Sequence, residues 1–250
     1  MVNVQTHDSS RLLLDAIAVV TGAGRGIGRA VAALFAAHGA TVYAVARTEG
    51  DLLSCASEAT DECGTIIPVP GDVTDPSFVT ALFRRIDDEA GGLNILVTSA
   101  GIAPFASVFE MDPADFRACL DLNVWAVFLS MQQALRMMRR AGRGKIINVG
   151  SVRSHWSESG DAGAYNASKQ GVRALTESVA RELHGSGLNI AVGLVCPGAV
   201  DTSLTNPSGE PKPDWLRAED VAEAVLRAVS APSRVNVFDT VLFPTSQSPW

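Results

Sequence analysis

Thr21-Gly22-Ala23-Gly24-Arg25-Gly26-Ile27-Gly28 decides how the rest of the chain is read. It follows an apolar, β-branched run at residues 16–21. It opens a segment, 27–38, in which Ile27, Val31, Leu34 and Phe35 recur at helical spacing. A strand, a glycine-rich loop and a helix in that order bring backbone N–H groups to the positive end of a helix, where a pyrophosphate is held. The spacing is T-G-x-x-x-G-x-G rather than the commoner G-x-G-x-x-G. Its position still predicts a dinucleotide site built on Gly22, Arg25, Gly26, Ile27 and Gly28.

Outward from this loop, short apolar runs alternate with helical patterns. Strands are expected at 41–45, 65–69, 94–97, 145–149, 189–195 and 235–242. Helices are expected at 51–63, 75–89 (with Asp75 as cap and Pro76 in the first turn), 113–140, 163–184 and 218–229. Continuous apolar strands separated by helices imply parallel crossovers. The fold class is therefore α/β, a single-domain doubly wound parallel sheet flanked by helices, with ligands at the carboxyl ends of its strands. Residues 1–14 read as an N-terminal extension and 15–250 as the domain.

The chain has 250 residues, 47% apolar and 19% charged, enough for a core on both faces of a sheet. A net charge of -7 argues against a nucleic-acid surface. The one basic cluster, Arg136, Arg139, Arg140, Arg143 and Lys145, reads as a helix C-terminus. No run approaches the roughly eighteen apolar residues of a membrane span. The first fifteen residues contain no signal-like apolar segment, and the four cysteines, Cys55, Cys63, Cys119 and Cys196, lack metal-ligand spacing. The expectation is a cytoplasmic protein with free cysteines, no metal, no membrane and no nucleic acid.

The second strand leads into Ala46-Arg47, where NAD-binding sheets usually carry an acid for the ribose hydroxyls. With Arg47 and Arg25 as guanidinium forks for a phosphate, the expectation is NADP(H). Tyr165 and Lys169, in Tyr-Asn-Ala-Ser-Lys, share a helix face at i, i+4 in a chain with two tyrosines and three lysines. A free phenol has a pKa of about 10, and a neighbouring ammonium favours its ionised form. Such a phenol can exchange a proton with an alcohol or carbonyl oxygen as hydride moves. Ser151, fourteen positions earlier, is placed to orient that oxygen. No G-x-S-x-G elbow surrounds it, which argues against a serine hydrolase.

Together these residues resemble the short-chain dehydrogenase/reductase family, in its compact, NADP(H)-preferring branch, over nearly the whole chain. The resemblance implies a Rossmann-like domain, with Tyr165 as acid/base and Lys169 lowering its pKa and binding the nicotinamide ribose. Ser151 matches the family's serine. Asn123 matches the helix asparagine whose distorted backbone holds a water linking the lysine to solvent. Gly71-Asp72-Val73 matches the segment after the third strand, which places Asp72 and Val73 at the adenine. Pro197-Gly198-Ala199-Val200-Asp201-Thr202 matches the segment that holds the carboxamide, including Pro197, Gly198, Val200 and Thr202. Thr98-Ser99-Ala100-Gly101 stands where the family often has Asn-Asn-Ala-Gly. Ser99, Ala100 and Gly101 are placed at the cofactor, with hydroxyls in place of amides.

The resemblance implies an oxidoreductase interconverting a small-molecule carbonyl and a secondary alcohol with NADP(H). It also implies a homo-oligomer, a dimer or homotetramer, through the helices at 113–140 and 163–184. Two further departures are visible. The Ser151–Tyr165 gap is one residue longer than usual, placing Arg153, His155 and Trp156 in a loop expected beside the substrate. The substrate lid, about 202–215, is short and stiffened by Pro207, Pro211 and Pro213. The lid and the Thr98-Ser99 change motivate a second reading, a catalytically weak cofactor-binding sensor or scaffold. The complete set of Asn123, Ser151, Tyr165 and Lys169 argues for the enzyme. The tail from Val235 to Gln247 resembles alcohol and hydroxy-acid dehydrogenases rather than acyl-carrier reductases.

Overall fold

A computed structural model of the protein describes residues 11–57, 64–157 and 160–248. Seven parallel strands form one sheet: β1 (Ile17–Thr21), β2 (Thr41–Ala46), β3 (Thr65–Pro70), β4 (Ile95–Thr98), β5 (Arg143–Val149), β6 (Asn189–Pro197) and β7 (Asp239–Leu242). Their order is β3-β2-β1-β4-β5-β6-β7. The chain winds one way from β1 to β3 and the other way from β4 to β7, so the switch point lies between β1 and β4, where Thr21 pairs with Thr98.

Alternation along each strand sends neighbours to opposite faces. Ala18 and Val20 of β1 pack under α1 (Gly26–Ala37) and α7 (Ala218–Ser230), with Phe35, Val225 and Leu226. Val19 faces the other layer, α3 (Pro76–Ala90), α5 (Ala126–Ala141) and α6 (Gly163–Leu183), with Leu82, Ile86, Met131, Met138 and Val172. Leu13, just before β1, is also buried, and its N–H donates to the His38 carbonyl.

Helix starts follow the sequence signals. Asp75 accepts from Ser77 N at 2.8 Å ahead of Pro76, and Asp112 accepts from Ala114 N at 2.8 Å ahead of Pro113. The shorter helix α2 spans Glu49–Ser57; the expected continuation toward residue 63 lies outside the described residues. Of the basic cluster, Arg139 and Arg140 occupy the last turn of α5, whereas Arg143 and Lys145 belong to β5.

Two expectations are corrected. The single helix at 113–140 is α4 (Pro113–Leu120) and α5 joined by one π turn, Asp121–Trp125, centred on Asn123. The last strand is half the expected length. Residues 232–235 close a turn, with Val235 N donating to the Pro232 carbonyl. Asn236 instead uses its side chain, donating to the Val192 carbonyl at 3.1 Å.

Candidate active site

The carboxyl ends of the strands open into one cleft of about 900 Å³. Its floor at the switch point is the glycine loop. Gly22 has φ +72°, and a side chain there would strike the Ala100 backbone at 2.7 Å. At Gly28 a Cβ would meet the Gly22 carbonyl oxygen at 2.3 Å, so the helix packs directly on the loop. Arg25, the N-cap of α1, makes no side-chain cap, which leaves the first N–H groups of α1 for a ligand at the cleft. Thr21 Oγ closes the loop against β4 by accepting from Ser99 N at 3.1 Å and Ala100 N at 3.3 Å.

Arg25, Arg47, Asp72 and Val73 line the cleft beyond the glycines. Asp72 is turned inward on its own segment, accepting from Thr74 N at 2.9 Å and Thr74 Oγ at 2.8 Å. One acid escaped the sequence reading. Asp51, on α2, lines the same wall, and its Cβ lies 3.1 Å from where a Gly24 side chain would begin. Ala46-Arg47 therefore does not leave this end free of carboxylates; the acid arrives from the following helix.

At the other end Ser151, Tyr165 and Lys169 line the cleft together. Ser151 follows β5 and caps a short 3-10 turn, Val152–Ser154; its Oγ accepts from Arg153 N at 3.2 Å, and Ser154 Oγ accepts from Ser151 N at 3.3 Å. The Ser151 hydroxyl is close enough to the Tyr165 phenol to favour its ionised form. Lys169, one turn further along α6, places Nζ 5.6 Å from the Tyr165 ring centre and donates to the Val149 carbonyl at 2.8 Å.

Burial dominates the electrostatics. It pushes Tyr165 up to about 12, against the Ser151 hydroxyl and the Arg153 charge, and pushes Lys169 down to about 8. The phenol thus lies above its ordinary value, contrary to the expected lowering by Lys169.

Asn123 does not line the cleft; it is buried behind it. Its Oδ1 accepts from Ile102 N at 2.9 Å, and its Nδ2 donates to the Ile102 carbonyl and to Ser168 Oγ, both at 2.9 Å. Those bonds fasten the π turn to the segment after β4 and to α6, one residue before Lys169. The expected backbone distortion is present, and Ser168 is a supporting residue that the sequence reading missed. Thr98 takes up the role left by the missing amide, its Oγ donating to Asn148 Oδ1 on β5 at 2.7 Å.

Ala100, Gly101, Pro197, Gly198, Val200 and Thr202 reach the cleft as expected, joined by Ser203, Leu204 and Trp215 of the lid. The lid is tied down by Asp201, which accepts from Asn206 Nδ2 at 2.7 Å and Lys212 N at 3.2 Å. These partners hold its carboxyl below the ordinary range.

Of the loop residues Arg153, His155 and Trp156, Arg153 lines the cleft. His155 turns back to Arg173 and Asp239, and Trp156 packs 6.2 Å from the Phe243 ring. His155, Cys196 and Asp239 bring donor atoms within 4.8 Å of one another. Arg173, always a donor, engages His155 Nδ1 at 2.9 Å, which places the ring proton on Nε2, 3.3 Å from Asp239 Oδ1. That proton occupies the lone pair a metal would use.

The cleft, the glycine loop and the Ser151–Tyr165–Lys169 group define a nucleotide-dependent oxidoreductase fold, and the comparisons with known proteins agree. A family model described as short chain dehydrogenase matches residues 16–213, and the chain belongs to that family. An uncharacterized oxidoreductase of Staphylococcus aureus (strain MW2) is 33% identical over 236 residues, covering 93% of this chain and 99% of the relative. An alcohol dehydrogenase from the archaeon Thermococcus sibiricus, solved with 5-hydroxy-NADP, superposes with a TM-score of 0.86 at 27% identity, covering 94% of this chain and 99% of that one. A metagenomic short-chain oxidoreductase solved with NADP has a TM-score of 0.82 at 28% identity, covering 94% and 99%. No helix among the described residues is long and apolar enough to cross a membrane.

Proposed function

We propose that the protein is an NADP(H)-dependent oxidoreductase that interconverts a carbonyl and a secondary alcohol, with Tyr165 as the acid/base. The observation that carries this reading is the meeting of Ser151, Tyr165 and Lys169 on one stretch of the cleft wall, with Lys169 Nζ 5.6 Å from the Tyr165 ring centre. The cradle suits a dinucleotide: glycines where any Cβ would strike backbone, uncapped helix N–H groups, and Arg25 and Arg47 at the far end for a 2′-phosphate. Two similar structures hold NADP or a derivative of it.

Bound there, the nicotinamide supplies or takes up the hydride. The chain's own residues handle the oxygen and the proton. Ser151 Oγ holds the substrate oxygen, and the Tyr165 hydroxyl gives its proton to that oxygen during reduction, or takes one during oxidation. A phenol held neutral by burial keeps its proton at physiological pH and so can donate it. Lys169 supports the tyrosinate that reduction leaves behind, and Asn123 fixes the segment after β4 that faces both.

The assembly we favour is a homo-oligomer, dimer or tetramer. Val108 and Phe109, just before α4, are 80% and 101% exposed, and Phe116 of α4 and Trp125 add apolar surface on the same stretch. The function is tested by titrating tryptophan fluorescence with NADPH and NADH, then following NADPH consumption over a panel of aldehydes and ketones. Tight NADPH binding with turnover of at least one ketone is expected. Binding without any turnover would favour a sensor.

A further inference from the structure

We propose that Gln247 is a positioning residue for the redox ring of the cofactor: its side chain, returning from the C-terminal tail, fixes the Ala199 peptide in the wall that the ring lies against. This rests on the dinucleotide reading of the cleft and deepens it. β6 runs beside β5 to its end at Pro197, with Gly150 N–H donating to the Val195 carbonyl at 2.8 Å. Residues 197–202 therefore leave the sheet next to the Gly150-Ser151 turn. At the far end of the segment, Thr202 Cγ2 lies 3.4 Å from where a Gly26 side chain would begin. The segment thus runs from the proton-handling group to the glycine loop, and its residues line the cleft. A hydride carrier with its pyrophosphate on that loop and its ring at Ser151 and Tyr165 has to cross this stretch.

The ladder with β7 ends where Pro197 stands opposite Leu242, and Gly198 N–H still donates to the Leu242 carbonyl at 2.8 Å. Beyond it the tail closes a turn, with Gln247 N–H donating to the Pro244 carbonyl at 3.0 Å. That turn returns the Gln247 side chain to the segment, where Oε1 accepts from Ala199 N–H at 2.9 Å. A side-chain oxygen takes the rung that the strand no longer supplies. The fit is close. A Cβ at Gly198 would strike that same oxygen, and would meet Pro244 Cδ at 3.2 Å, so the tail itself demands glycine at 198. The lid takes the other main-chain group, Leu216 N–H donating to the Ala199 carbonyl at 3.0 Å. Ala199 is thus held by both of its main-chain groups, and it presents the backbone to a ligand in one orientation. That spares binding the cost of ordering it. The role falls to the amide oxygen of Gln247 alone. A second tie, from Ser246 Oγ to the Asp214 carbonyl at 2.8 Å, fastens the tail to the lid through a different residue.

The test is calorimetry on the full-length protein, in the wild type, Q247M, Q247E and S246A. NADPH and NADH are each compared with the same molecule lacking its nicotinamide, 2′-phospho-ADP-ribose and ADP-ribose. Q247M keeps the length of the side chain but offers Ala199 no amide oxygen. It should weaken binding of the cofactor by about fivefold or more, the scale of one hydrogen bond, and leave the ring-less molecule within about twofold of wild type. Q247E keeps an accepting oxygen and should retain most of the affinity for the cofactor. S246A frees the tail from the lid and should stay within about twofold of wild type for both molecules. An unmoved Q247M, or an equal loss with and without the ring, would overturn the proposal. So would a loss in Q247E or S246A as large as that in Q247M. A wild type that binds neither cofactor would overturn the dinucleotide reading and this proposal with it. A wild type that binds, with Q247M unmoved, would remove the role of Gln247 alone.

Discussion

Lys169 Nζ lies 5.6 Å from the centre of the Tyr165 ring, in a place where burial opposes charge on both side chains. Lys169 falls from 10.5 to about 8 on folding, so the unfolded chain binds the extra proton between those values. Stability therefore rises with pH across that window, and the full cost of the buried ammonium is felt below it. Lys169→Met should stabilise the cofactor-free protein at pH 7 by something on the order of 1–3 kcal/mol, less the lost bond to Val149. Urea melts should show this advantage shrinking as pH is raised from 8 toward 10.5. A variant no more stable than wild type at pH 7 would mean that burial does not govern the pair.

Asn123 fills a different need. Its amide satisfies both the N–H and the carbonyl of Ile102 in a buried place. Asn123→Ala leaves those groups without that partner, at a cost of about 2–4 kcal/mol for two groups. Thermal unfolding should report the loss directly, and a change below about 0.5 kcal/mol would show that the π turn does not depend on this side chain.

At the cofactor end Arg47 and Asp51, of opposite charge, line the same cleft. Arg47→Glu should weaken NADPH binding by about tenfold or more, the scale of a lost charge-assisted bond. Asp51→Asn should strengthen NADPH binding several-fold while leaving NADH nearly unchanged. Fluorescence titration of both variants with both cofactors measures this. An Asp51→Asn variant with unaltered selectivity would place that carboxylate outside the 2′-phosphate's reach.

The lid depends on one carboxylate. Asp201 gathers Asn206 and Lys212 across residues 202–215. Asp201→Ala should free the segment, raise KM for the carbonyl substrate more than for the cofactor, and speed chymotryptic cleavage after Leu204. Unchanged cleavage would show that the prolines alone hold the lid.

Much of this was legible in the sequence because it is local. The glycine loop lies between a strand and a helix, the Tyr165–Lys169 pair is one helical turn, and Asp75-Pro76 carries its own start signal. What escaped depends on distant partners. The π turn at Asn123, expected only through the family resemblance, is held by Ile102, twenty-one residues earlier, and no periodicity within 113–140 reveals it. Asp51 enters the cofactor wall from α2 rather than from the end of β2, where an acid is looked for. The loop after Ser151 could be placed at the cleft, but the side chain that faces it could not. Arg173 and Asp239 draw His155 away, and Phe243 takes Trp156, leaving Arg153. The final strand reads long because Val235 and Val237 are β-branched, whereas the Asn236 side chain satisfies the Val192 carbonyl and ladder pairing begins only at Asp239.

The most direct measurement is the turnover of Tyr165→Phe on the best ketone of the panel, paired with its NADPH dissociation constant. Removing the proton donor should lower kcat by about 100-fold or more while NADPH affinity stays within about threefold of wild type. A Tyr165→Phe protein that binds NADPH and keeps kcat within a few-fold of wild type would contradict the assignment of Tyr165 as the acid/base.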